Sequence, residues 1–270
     1  MSLSAETSVK TSARKGIVCL LLLALSACAT QEISQGGLPV EKPQTNALQG
    51  ARIHTELAGE YYARGQMGVA IEEVNEALRS DPNYAPAYNV LGLVYMDLRE
   101  YKLAEENFER AIKLAPNDSD SHHNYGVFLC QHRRGQEAEA VRHFLAAIKN
   151  PLYATPDKSY VQAGMCSQQR GIDKDAIEFF QKALLIQPAQ TQALLGLAQV
   201  HYKSGDLVAA KYALARHAQT ATPTAESLWL GLRIERKSGD ANAEASYAYQ
   251  LQKRFPNSKE AIALQEKKYD

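Results

Sequence analysis

Residues 85–118 read APAYNVLGLVYMDLREYKLAEENFERAIKLAPND, and this stretch decides the fold. Tyr88, Leu91 and Tyr95 recur at helical spacing, and so do Ala104, Phe108 and Ala111 further on. Gly92 and Ala104 are small, as two antiparallel helices crossing at close range require. Ala111 is small where the second helix meets whatever follows. Pro116 ends that helix, because it has no N–H and disfavours helix in the residue before it. The same frame of 34 residues runs outward in both directions. Residues 51–84 carry Leu57, Ala58, Tyr61, Gly65, Ala70, Ala77 and Pro82. Residues 157–190 carry Tyr160, Gly164, Gly171, Ala176, Phe180, Ala183 and Pro188. Residues 191–224 keep Leu194, Leu197, Ala198, Gly205, Ala210 and Leu214, with His217 at a small-residue position. Residues 225–258 are more degenerate and retain Gly239 and Pro256. Residues 119–156 carry Tyr125, Gly126, Ala140, Phe144 and Ala147 with four extra residues, two near Arg133-Arg134-Gly135 and two around Asn150–Pro156.

At nearly every signature position this unit resembles the tetratricopeptide repeat. The resemblance implies an all-α, right-handed superhelical solenoid of six repeats, with 259–270 as a helix capping the last apolar face. In such a solenoid every first helix lines a concave groove, and the usual work is to bind other proteins.

The N-terminal residues read as an address. Lys10, Arg14 and Lys15 precede an apolar run, Ile17 to Leu25, too short to span a bilayer. It ends in Leu25-Ser26-Ala27-Cys28, which resembles the lipobox of bacterial lipoproteins. The resemblance implies removal of 1–27, lipidation of Cys28, and a membrane contact through that anchor. An ordinary signal peptide with a chance cysteine is the alternative. Ala29 stands where an Asp would signal inner-membrane retention, which implies the outer membrane, facing the periplasm. Residues 29–50, with Gly36-Gly37, Pro39 and Pro43, read as a disordered tether, leaving 51–270 as the repeat domain.

Composition narrows the function classes. Thirty basic residues balance thirty acidic ones, which argues against nucleic acid as a partner. No phosphate loop, nucleophile elbow or HExxH motif occurs, so neither catalysis nor a cofactor nor a small-molecule substrate is expected. His122, His123, Cys130, His132 and His143 invite a metal reading. None forms an i, i+4 ligand pair, and His122 falls at a core position, so no metal is expected. Cys130 and Cys166 remain once Cys19 leaves with the signal and Cys28 is lipidated. They lie on successive first helices, whose spacing permits contact in an oxidising periplasm, as a disulfide or as two buried thiols.

His123–Cys130 (HNYGVFLC), the Asn150-Pro151-Leu152-Tyr153 segment with Thr155-Pro156, and Ala163–Cys166 (AGMC) are similar to the type IV pilus biogenesis/stability lipoproteins, the pilotins. This resemblance implies a disulfide between Cys130 and Cys166. It also implies a partner, the outer-membrane secretin of the pilus system, which such adaptors bring to the outer membrane and help to multimerise. A periplasmic scaffold for barrel insertion or for cell-wall enzymes is the alternative. Positions 2, 5, 9, 12 and 13 of the first helices usually face the groove. Position 5 reads Thr55, Asn89, His123, Val161, Leu195 and Trp229, with no Lys among them, so the paired Lys and Asn of a carboxylate clamp are absent. Leu93, Met96, Val127, Val161, Met165, Leu195, Tyr202 and Trp229 instead form a candidate apolar stripe, rimmed by Asp97, Gln168, Gln169 and Lys203. Packing between neighbouring first helices would account for part of it.

Overall fold

The computed structural model describes residues 43–269. The expected signal 1–27, the Cys28 anchor and the tether up to residue 42 lie outside the described residues. Within them the chain is helical throughout, with six antiparallel pairs and one single helix. The pairs are α1 (Pro43–Ala63) with α2 (Met67–Ser80), α3 (Ala85–Asp97) with α4 (Tyr101–Leu114), and α5 (Ser119–His132) with α6 (Glu137–Ile148). Then come α7 (Pro156–Gln169) with α8 (Asp173–Ile186), α9 (Thr191–Ser204) with α10 (Leu207–Thr220), and α11 (Ala225–Ser238) with α12 (Ala241–Arg254). The helix α13 (Lys259–Gln265) closes the stack.

The packing says which helices lie inside. Each first helix has Cα atoms within 8 Å of the next first helix, from α1–α3 through to α11–α13. No second helix comes that close to the next second helix among the described residues. Helices converge on the inner side of a bend and splay on the outer side, so α1, α3, α5, α7, α9 and α11 line the concave face.

Each pair closes by fitting a small residue on the first helix against a large one on the second. A Cβ at Gly92 would sit 2.5 Å from the Phe108 ring, one at Gly126 2.7 Å from Phe144, and one at Gly164 2.6 Å from Phe180. Phe108, Phe144 and Phe180 are wholly buried. Where the large residue is smaller, the glycine gives way to alanine, as in Ala58 with Val74 and Ala198 with Leu214. The volume of each crossing is thereby conserved, as close packing demands. The inter-helix turns use a left-handed residue, Gly171 (φ 75°) and Gly205 (φ 84°) among them, and in the second pair Arg99 at φ 62°.

Two expected boundaries are corrected. The first helix begins at Pro43, eight residues inside the expected tether. Proline at a first helical turn gives up no hydrogen bond. Once Ala51 is buried beside Val74 and Ala77 and a helix is nucleated there, extending it backwards adds a bond per residue fixed. At the other end, α13 stops at Gln265 and does not reach residue 270. Lys267 turns left-handed (φ 57°), and the Lys268 N–H donates to the Ala263 carbonyl at 2.8 Å. The chain then folds back, and the Tyr269 ring stacks on Trp229 with centroids 5.9 Å apart.

Candidate functional site

The concave face is built from three zones. The first is a polar ladder between successive first helices. Asn124 Nδ2 donates to Asn89 Oδ1 (3.1 Å), joining α5 to α3. Gln168 Nε2 donates to Gln199 Oε1 (3.4 Å), and Gln199 Nε2 donates to Glu226 Oε1 (2.7 Å), joining α7, α9 and α11. His123 Nδ1 lies 2.7 Å from Ser159 Oγ, and the Ser159 hydroxyl donates to the Tyr153 hydroxyl at 3.3 Å. The inserted Asn150-Pro151-Leu152-Tyr153 segment is therefore tied to the concave face. It is itself a turn with proline in its second place. The Tyr153 N–H donates to the Asn150 carbonyl (3.1 Å), and the Asn150 side chain accepts from Leu152 N–H (3.0 Å). Burial, with Lys158 nearby, pushes the His123 imidazole down to about 4.

The second zone is the apolar stripe. Leu93, Met96, Val127, Met165, Leu195, Tyr202 and Trp229 are half-buried against the core rather than open. Val161 is 1 % exposed and belongs to the core with Ala193 and Leu197, so it is not a contact residue. The small Ala193 on α9 lets α7 and α9 approach closely enough to enclose it. Trp229 carries Tyr269 on its face. Several openly exposed large apolar side chains lie elsewhere, on α1, in the insert at Leu152 and on second helices, with Leu185 83 % and Tyr212 67 % exposed beside a cavity of about 480 Å³ between α8 and α10.

The third zone is cationic and aromatic. Tyr202, Arg233, Arg236, Lys237 and Tyr269 line one cavity of about 370 Å³. Tyr202 belongs to the candidate stripe, whereas Arg233, Arg236, Lys237 and Tyr269 are not among the residues singled out from the sequence. The signal was present, because Arg233, Arg236 and Lys237 occupy the groove-facing places of the sixth repeat.

The candidate metal and cysteine residues disperse into structural roles. His122 Nε2 lies 3.0 Å from the Pro116 carbonyl, so it carries its proton there. Its Nδ1 then accepts from His143 Nδ1–H at 2.8 Å. Burial, then His122 and Arg142, push the His143 imidazole down to about 4. His132 stacks on Tyr101 with centroids 4.5 Å apart. Among the described residues no three His, Cys, Asp or Glu side chains converge as a metal site. Cys130 and Cys166 are joined as a disulfide with Cα atoms 5.9 Å apart, bridging α5 and α7 across the inserted segment. At the other insertion Arg133 donates from Nε and Nη2 to Glu105 Oε2 at 3.1 and 2.6 Å, and its guanidinium lies over Phe128.

The tetratricopeptide-repeat family matches residues 85–118 and 107–142. Over 255 residues the chain is 30 % identical to the type IV pilus assembly protein PilF of Pseudomonas aeruginosa, covering 94 % of this chain and 99 % of that protein. The crystal structure of PilW, described as a widely conserved type IV pilus biogenesis factor, superposes with a TM-score of 0.74 at 31 % identity. That match covers 80 % of this chain and 98 % of PilW. A solved structure of Pseudomonas aeruginosa PilF also superposes with a TM-score of 0.74, at 29 % identity over 84 % of this chain and all of that one.

Proposed function

The chain belongs to the family of the type IV pilus assembly protein PilF, and from that premise we propose that it is an outer-membrane lipoprotein adaptor that brings the pilus secretin to the outer membrane and supports its multimerisation. The observation that carries this reading is the match along 99 % of PilF, which spans the solenoid together with the insert unusual for plain repeats. The lipobox-like Leu25–Cys28 supports anchoring through lipid on Cys28. Two or more acyl chains on Cys28 would hold the protein stably at the membrane. The adaptor acts by binding, with its concave face as the partner surface, and carries no step of covalent chemistry.

The test is the secretin itself. In cells lacking the chain, secretin multimers on a non-denaturing gel should disappear from the outer-membrane fraction and return with the intact gene. A Cys28→Ala variant should fold yet leave secretin poorly localised. Normal multimers at normal abundance in the deletion strain would overturn the reading.

A further inference from the structure

We propose that the cavity between Tyr202, Arg233, Arg236, Lys237 and Tyr269 is a carboxylate site that pins an acidic side chain of a protein segment lying in the concave face. This rests on the reading that the concave face takes a partner segment, and it gives that segment a chemistry and a direction: apolar residues along Met165 and Leu195, then an acid beyond Tyr202.

Charge comes first. Arg233, Arg236 and Lys237 stand on consecutive turns of α11 and converge on one cavity. Among the described residues Glu244 alone pairs with them, accepting from Arg236 at 2.9 Å. No described carboxylate lies within 4.0 Å of Arg233 or Lys237. Glu226 and Glu260 line an adjoining cavity that Arg233 also borders, but Glu226 is engaged by Gln199 and Glu260 sits beside Lys259. Among the described residues the three cations of this cavity therefore meet one paired carboxylate, Glu244, and the site keeps an excess of positive charge.

Orientation comes second. The Arg233 guanidinium lies 4.7 Å over the Tyr202 ring, and Lys237 Nζ lies 5.2 Å from the same ring. The Arg236 guanidinium lies 3.7 Å over Tyr269, whose ring is in turn stacked on Trp229. A guanidinium held over an aromatic ring keeps in-plane N–H groups available, and such groups can take a carboxylate in two parallel hydrogen bonds. The Arg233 Nε–H is buried with no acceptor among the described residues. That edge is closed to a ligand, so a carboxylate would meet Arg233 at its terminal Nη groups, which are not buried.

Continuity comes third. The ladder Gln168–Gln199–Glu226 runs along the same face toward this end of the stack. Side-chain amides suit the main chain of an extended peptide, which favours a protein segment over a lipid headgroup.

The full chain in detergent, dialysed against acetyl-Leu-Leu-Glu-Glu-amide or its Gln-Gln counterpart, tests this. The lone tryptophan, Trp229, is a fluorescence reporter touching the site. The Glu peptide should bind with a Kd on the order of 1 mM, about tenfold tighter than the Gln peptide. The advantage should vanish in Arg233→Gln/Lys237→Gln and be largely screened above about 0.5 M salt. Lys237→Gln alone, at an exposed position, should reduce it and serves if the double variant folds poorly. Equal binding of the two peptides, or an advantage retained in these variants, overturns the proposal. Preference for phosphatidylglycerol vesicles over the Glu peptide overturns it in favour of a lipid headgroup. Secretin assembly in cells is read separately, so a working carboxylate site beside normal multimers in the deletion strain would sink the adaptor role and not the site.

Discussion

Repeats two to four and repeats five and six reach the same architecture by different means. From α3 to α8 the second helices each bury a fully enclosed phenylalanine against a first-helix glycine. In α12 the only buried residue is Leu251, and Tyr247 over Gly231 is half-buried. The later repeats enclose aliphatic side chains instead, Leu194, Leu232, Ile234 and Leu251 among them, and they also differ at their helix ends. Asp206, Thr224, Asp240 and Ser258 all cap their helices through side chains, with Thr224 and Ser227 forming a reciprocal capping box. From α2 to α8 only Asp118 caps this way. A side-chain cap satisfies free helix-end N–H groups, which are local enough to be served by one residue each.

The contrast can be broken where it is widest. Phe180 fills the space against both Gly164 and Gly196, so Phe180→Ala should cost about 4–5 kcal/mol in denaturant unfolding, with Tyr247→Ala costing less than half as much. Equal losses would show that the two halves share one kind of core. The disulfide sharpens the same division, because it lies in the aromatic half. Opening Cys130–Cys166, which are 36 residues apart, should remove about 4 kcal/mol in the chain-entropy picture. Because a solenoid passes stability from neighbour to neighbour, hydrogen exchange should rise first at α5–α7 and leave α11–α13 protected.

Acid should also separate the halves. His123 and His143 titrate near 4 when folded and near 6.5 when unfolded, so the unfolded chain takes up protons first. Their contribution is complete above pH 6.5 and is lost as pH falls toward 4, about 2 kcal/mol by pH 5 for the two together after allowing for their partial exposure. Burial lowers His217 in α10 as well, so the control is His143→Gln, which should flatten the acid limb. An unchanged slope would exclude His143 as a source. The capping half responds to smaller changes. Thr224→Ala should cost about 1 kcal/mol and loosen α11, measurable as a shift in thermal midpoint. The smallest effect runs the other way. Arg99 holds a left-handed turn that the other repeats assign to glycine, and Arg99→Gly should stabilise by about 0.5–1 kcal/mol. A loss there would mean that the Arg99 side chain contributes more than its backbone costs.

The repeat frame was legible because each repeat obeys local rules. Helical spacing, a small residue at each crossing and a turn glycine are all visible in one dimension, and the pairing of Gly92 with Phe108 or Ala198 with Leu214 is a volume rule that a sequence displays directly. The stripe was legible only in part. Periodicity names the face a side chain occupies but not how far the next helix covers it, so Val161 reads like Met165 although α9 encloses one and leaves the other half-open.

The sequence by itself determined the helices, their pairing and the family, since these follow from periodicity and from residues close along the chain. Tertiary structure alone decided what depends on distant segments meeting. The start of α1 at Pro43 needed a core contact made further on, and the cationic cavity needed Tyr269 to fold back across α11. Such contacts depend on the curvature of the stack, which sums small rotations over many repeats and is written at no single position.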